Sequence, residues 1–233
     1  MKTIVAAVGK KGANRPHDVK VVQTLLNRQL PRLIPLARLA EDGHIGPRTI
    51  SAIEEFQRRV LRVPAPDGRV DPGGTTLKRL NEGPPPPNVE AFIQKVLPAA
   101  KAVKAKWRIP VGVLIAQTAL ETGWGRSVKG NAYFGIKAGA KTSNTVTFTT
   151  AEVIGGKRVT LDDQFRAYKN FDEAADDYGR FLNENPLYKP CFVFVNDPDK
   201  FVEKLQQAGY ATDPDYAAKL KSIIRNAWLD RFD

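Results

Sequence analysis

The chain has 233 residues, 42% hydrophobic and 26% charged; this composition excludes a disordered polymer and is enough for one large domain or two smaller ones. The single cysteine, Cys191, excludes an intrachain disulfide, and two histidines, His17 and His44, are too few for a catalytic zinc, so neither a metal nor another cofactor is expected. No apolar run reaches the roughly 18 residues of a membrane span, and the formal charge of +11 favours an anionic partner: nucleic acid, an acidic membrane face or a wall polymer.

From the start of the chain, "MKTIVAAVGKKG" holds an apolar stretch too short for a secretory signal, so synthesis in the cytoplasm without an export signal is expected. "HDVKVVQTLLNRQL" places Val19, Val22, Leu25, Leu26 and Leu30 at helical spacing, with Asp18 positioned to cap the start. The turn-rich "EDGHIGPRT" leads into a second helix, "ISAIEEFQRRVL", whose apolar set is Ile50, Ile53, Phe56 and Val60. "DGHIGPRTI" from Asp42 and "DGRVDPGGT" from Asp67 form a near-repeat, Asp-Gly-x-Ile/Val-x-Pro. Each predicts a turn into a helix, with Gly43 or Gly68 at positive φ and Thr49 or Thr75 as cap. "EGPPPPN", residues 82–88, then predicts a stiff spacer between a domain over 1–81 and another over 89–233.

The front residues resemble the bacterial peptidoglycan-binding domain. Val19, Gln23, Leu26, Asn27, Asp42, Gly43, Gly46, Thr49, Phe56 and Gln57 stand where its pattern asks, and the longer segment "LPRLIPLARLAE" departs from it. The resemblance implies a three-helix module that binds peptidoglycan.

In the second domain, "VEAFIQKVLPAAKAVKAK" predicts an amphipathic helix, bent near Pro98. "IPVGVLIAQTALE" predicts a more apolar, buried helix, with Pro110 in its first turn and Gly123 at its end. Glu121 closes that helix. Desolvation and the negative end of the helix dipole both raise a carboxyl pKa there, which suits a general acid. The competing reading is a glutamate that points to solvent once the helix has ended. Further on, "TVTFTTAEV" and "KRVTLDDQF" alternate like two strands joined through Gly155-Gly156. "FVFVNDPDKFVEKLQQAGY" reads as core plus a helix, with Cys191 a small buried residue, and "DYAAKLKSIIRNAWL" as a closing amphipathic helix.

Four motifs in this half are Ala-Leu-Glu-Thr-Gly-Trp-Gly from Ala119, Asn-x-x-Phe-Gly-Ile-Lys from Asn131, Phe-Arg-x-Tyr from Phe165 and Gly-Tyr-Ala-Thr-Asp-Pro-x-Tyr from Gly209. Together they resemble the bacterial glucosaminidase family of wall hydrolases, over residues 92 to 225. The resemblance implies a mainly α fold in which a lysozyme-like α+β domain with a small β-hairpin lobe follows the three-helix module. It implies Glu121 as the general acid and Glu152, in "TTAEVIGG", as the second carboxylate, with Asp162 and Asp163 as rivals. The separation of the two acids decides between inversion and retention and depends on hairpin closure. Trp124, Phe134, Tyr168, Tyr210 and Tyr216 are expected to line the cleft. Asn131 is expected to shape a turn and reach an acetamido group, and Asp177 to brace the site or orient a tyrosine.

The leading expectation is a monomeric peptidoglycan hydrolase that cleaves the glycan strand at N-acetylglucosamine, an endo-N-acetylglucosaminidase without nucleic-acid binding or membrane insertion. The alternative is a non-catalytic wall-binding or structural component. A wall hydrolase made in the cytoplasm fits either a phage-type lysin or an antibacterial secreted effector, the latter with an immunity protein as partner.

Overall fold

The computed structural model describes residues 1–139, 142–154 and 157–233, with side chains for all of these except 150–154 and 157–161. The chain divides into two compact units, Met1–Pro85 and Pro86–Asp233.

The first unit runs β1 (Val8–Gly9), α1 (Pro16–Arg28), α2 (Pro47–Arg59), β2 (Arg69–Val70) and α3 (Thr75–Leu80), and its two short strands pair antiparallel. Val19, Val22, Leu25 and Leu26 of α1 meet Ile53 and Phe56 of α2 in one core, closed by Val8, Val70, Leu77 and Leu80. The Asp-Gly repeat is a repeat of bonding. Gln23 Nε2 donates to Asp42 Oδ1 at 2.9 Å and to the His44 carbonyl at 3.1 Å, while Gly43 N–H donates to Gln23 Oε1 at 2.9 Å. Gln57 repeats the pattern on Asp67 (2.6 Å), the Arg69 carbonyl (3.0 Å) and Gly68 N–H (2.9 Å). Each helix thus holds the turn that follows it through one buried amide.

The helix starts differ from expectation. Asp18 lies inside the first turn of α1 because Pro16, whose fixed φ suits that place, begins the helix earlier. Its carboxylate instead accepts the N–H groups of Val5 (3.0 Å) and Ala6 (2.9 Å). Thr49 and Thr75 also fall inside their helices, whose caps are Gly46 and Gly74 without side-chain bonds.

The second unit runs α4 (Pro87–Trp107), α5 (Val111–Thr122), β3 (Thr145–Ile154), β4 (Lys157–Arg166), α6 (Phe171–Glu184), α7 (Pro198–Gln207) and α8 (Tyr216–Asn226). 3-10 turns cover Pro186–Phe194 and Leu229–Phe232. The last two prolines of "GPPPP" are the cap and first residue of α4, so the helix begins inside the segment expected to be a spacer; proline at a first helical position gives up only an N–H the helix would not use. Pro98 sits within α4. In the run expected to be core, Cys191 is fully buried but Val193 is 76% exposed, because the segment is a surface 3-10 turn.

Helix α5 is buried from Val111 to Ala119 and packed by α4, α7, α8 and the final 3-10 turn, so its apolar residues surround the whole circumference. Helices α4 and α6 meet at Gly179, where a Cβ would stand 2.3 Å from Trp107 Cδ1. The Trp107 indole N–H donates to Asp176 Oδ1 of α6 at 2.7 Å. A side chain at 179 must push the two helices apart, so Gly179→Ala is expected to destabilise the protein by about 1–3 kcal/mol, read as a lower midpoint in thermal or urea unfolding.

Candidate active site

The long apolar run of α5 positions Glu121, and both ends of the helix are specified. At the start, Asp233 accepts the N–H groups of Val111 (2.7 Å) and Gly112 (2.9 Å), satisfying two donors that have no partner within the helix. Gly112 permits this approach, since a Cβ there would stand 2.6 Å from Asp233 Oδ2; Lys104 pairs with the same carboxylate at 3.3 Å. At the other end Gly123 turns left-handed at φ +56, as expected, and returns its N–H to the Ala119 carbonyl. Trp124 and Gly125 also take positive φ. A Cβ at Gly125 would reach within 2.8 Å of the Phe92 ring, and Trp124 packs edge-on to that ring with centroids 5.8 Å apart. The chain therefore leaves the helix sharply just after Glu121.

Glu121 is exposed to solvent. Gly135, at φ +59, lies beside it: a Cβ there would stand 3.5 Å from Glu121 Oε2. Desolvation by the surrounding protein raises the Glu121 pKa above the ordinary value of 4.5, as the acid reading expects, while the residue is exposed, as the competing reading expects. One helical turn earlier, the buried Gln117 accepts the Tyr178 hydroxyl and donates to Tyr216 Oη at 3.0 Å. The Tyr210 hydroxyl donates to the Phe134 carbonyl at 2.8 Å. Burial raises the pKa of Tyr178, Tyr210 and Tyr216, and the nearby Glu121 charge adds to each, so these phenols stay neutral around the acid.

Strands β3 and β4 pair in register from Thr145 opposite Arg166 to Ile154 opposite Lys157, with Glu152 opposite Val159. The Glu152 side chain and the Gly155-Gly156 turn lie outside the described residues. Asp162 and Asp163 have other work: Asp162 Oδ1 accepts the Thr149 hydroxyl at 2.8 Å, and Asp163 Oδ2 lies 3.0 Å from Lys137 Nζ. At the base of the ribbon, Asp177 Oδ2 accepts Arg166 Nη1 (2.8 Å) and the Tyr168 hydroxyl (2.7 Å), while Oδ1 pairs with Arg180. A crevice of about 880 Å³ flanks this base, lined in part by Asn144, Arg166, Tyr168, Glu173, Asp176 and Asp177, and Glu121 is not among its walls.

The expected cleft residues divide accordingly. Trp124 is half-buried. Phe134 and Tyr216 are 1% and 3% exposed and offer no face to a ligand, being stacked instead on Tyr178 and Tyr210. Tyr168 turns its hydroxyl inward to Asp177, and Asn131, at φ +52, donates to the Tyr168 carbonyl at 2.9 Å. Asp177 braces Arg166, Tyr168 and Arg180 and also lines the crevice. Sequence reasoning missed Gln117, Arg166 and Asp233. Gln117 had a signal, since it lies four residues before Glu121 on the same helical face. No group of three or more His, Cys, Asp or Glu side chains converges on a metal-sized site among the described residues.

Residues 97–229 match the family model for glucosaminidase, described as mannosyl-glycoprotein endo-beta-N-acetylglucosaminidase. The chain is similar to the peptidoglycan hydrolase FlgJ of Pseudomonas aeruginosa, 36% identical over 146 residues that cover 59% of this chain and 36% of that protein. It is also similar to the exo-glucosaminidase LytG of Bacillus subtilis, 36% identical over 151 residues, covering 62% of this chain and 53% of that one. The matches thus span about a third to a half of the length of these relatives. Among solved structures, a peptidoglycan hydrolase mutant from Sphingomonas sp. A1 superposes with a TM-score of 0.56 at 35% identity, covering 60% of this chain and 95% of that one.

The Asp177 clamp has a pH signature. Burial acts to raise the Asp177 pKa, but the hydrogen bonds from Arg166, Arg180 and Tyr168 outweigh it, so the folded value lies below the ordinary 3.8. Its contribution to stability is complete above that ordinary value and is lost as pH falls through the folded one. Thermal melts of wild type and Asp177→Asn are expected to differ most at neutral pH and to converge on acidification. A difference independent of pH would contradict the clamp.

Proposed function

The chain belongs to the glucosaminidase family of glycoside hydrolases, and on that premise we propose that it is a peptidoglycan hydrolase, an endo-N-acetylglucosaminidase that cuts the glycan strand at N-acetylglucosamine. The observation that carries this reading is Glu121: an exposed carboxyl at the end of a helix specified at both termini, its pKa raised by desolvation from the protein around it. A carboxylic acid kept protonated toward neutral pH can give its proton to the glycosidic oxygen as the bond from the sugar's anomeric carbon breaks. Positive charge then develops on the sugar ring. Glu152 on the β3–β4 ribbon is the second acid in this reading, activating the attacking water or stabilising that charge. Trp124 and Tyr210 supply aromatic surface beside the acid.

The first unit is the wall-binding module in this reading. Tethering a hydrolase to an insoluble polymer raises its effective concentration there, and the net charge of +11 suits an anionic wall.

The test is release of reducing ends from purified sacculi, with mass spectrometry of the products. Glu121→Gln is expected to lower kcat by about 10²–10⁴, and full activity in that variant would refute the assignment. In the wild type, kcat/KM should fall as pH rises through the Glu121 pKa, and this limb should lie above the 4.5 of an ordinary glutamate. N-acetylglucosamine is expected at the new reducing ends; N-acetylmuramic acid there would replace this reading with muramidase action.

A further inference from the structure

We propose that Asp177 is a positioning residue: by gripping the base of the β3–β4 ribbon, it sets where the ribbon holds Glu152 relative to Glu121. This rests on the hydrolase reading above and adds a role for a residue that touches neither substrate nor reacting atoms.

Among the described residues, the ribbon meets the helical body near its base. Backbone pairs join the 136–138 segment to β4, with Arg166 N–H on the Ile136 carbonyl (2.9 Å) and Ala138 N–H on the Gln164 carbonyl (2.8 Å). Tyr168 N–H reaches the Gly130 carbonyl at 2.8 Å. Side-chain ties come from Lys137, which pairs with Asp163 of β4 at 3.0 Å, and from another element, α6. Arg166, the last residue of β4, and Tyr168, two residues on, both end on one oxygen of Asp177. The Arg166 guanidinium also lies over the ring of Phe181, one turn further along α6, at 5.7 Å. Arg180 holds the second oxygen, so the carboxylate is fixed in rotation as well as in place. The Asp177 side chain is 12% exposed, and both its oxygens accept bonds from within the protein.

The ribbon's length makes this grip matter. Val159, opposite Glu152, lies seven residues before Arg166, which at about 3.4 Å per residue is about 24 Å of strand. A tilt of about 10° at the base then moves position 152 by about 4 Å. Misplacing a reacting group by about 1 Å can cost about a hundredfold in rate. A small loss of angular restraint at Asp177 therefore reaches the chemistry without any contact with it.

The test is a double-mutant cycle on sacculi hydrolysis with wild type, Asp177→Asn, Glu152→Gln and the double variant. Asp177→Asn is expected to lower kcat about tenfold with KM within about twofold, and to cost less than about twofold when Glu152 is already glutamine. Glu90→Gln, which breaks the remote ion pair with Arg231, serves as the stability control and is expected to lower the melting temperature without changing kcat. Should Asp177→Asn fail to fold, Tyr168→Phe removes one of the bonds to Asp177 and keeps the ring; it is expected to lower kcat about threefold, again only in the presence of Glu152. An equal loss from Asp177→Asn in both backgrounds would overturn the proposal, as would a rise in KM at constant kcat. A wild type that releases no reducing ends would instead overturn the hydrolase reading on which the proposal stands.

Discussion

A carboxyl group can be kept protonated at the edge of a cleft only if water is thinned around it and cations are kept from it. In the proposed reading, these conditions bear on the surroundings of Glu121. Burial raises its pKa, and the groups behind it, Gln117 with Tyr178, Tyr210 and Tyr216, are neutral and bonded among themselves or to backbone. Three cations of the adjoining loop and ribbon base have partners of their own. Arg126 puts its Nε on the Gly123 carbonyl, Lys137 pairs with Asp163 and Arg166 with Asp177. Asp163, one of the two aspartates expected to rival Glu152, is therefore also the counter-ion of Lys137.

The fold divides the labour between a rigid part and an adjustable one. Helix α5 has packing on every side, a carboxylate cap at one end and a left-handed glycine at the other, so Glu121 has little freedom of position. The ribbon is a two-stranded sheet with its own ladder, and such a sheet draws its orientation from whatever grips its base. In the first unit, positional control rests on single amides: Gln23 and Gln57 each hold a turn through the same three bonds, and the sequence repeat is the trace of that shared geometry.

Much of this was legible in the sequence because it is written in local pattern. The periodicities of α1, α2 and α5, the glycine at the end of α5 and the alternation of β3 and β4 each reflect interactions within a few residues. What could not be read depends on burial or on distance along the chain. Phe134 and Tyr216 have the same chemistry whether they face a sugar or a core, and only packing reveals that they face the core. The caps of α2 and α3 are glycines rather than threonines because the helices start one to three residues earlier than polarity suggests. The ties from Asp177 to Arg166 and from Asp233 to Val111 join separate elements, and no local pattern announces them.

The cap on α5 also has a consequence for the order of events during synthesis. Val111 and Gly112 precede Asp233 by 122 and 121 residues, and the Glu90–Arg231 pair spans 141. At about 5–20 residues per second a ribosome needs about 6–24 s to cover the first of these intervals, whereas a helix can form within about a microsecond. The acid-bearing helix therefore waits, uncapped at its start, while the ribbon and three further helices are made. A nascent chain that already contains both α5 and the ribbon does not yet hold the finished fold of this unit, and the moment of completion is set by elongation rather than by the speed of folding.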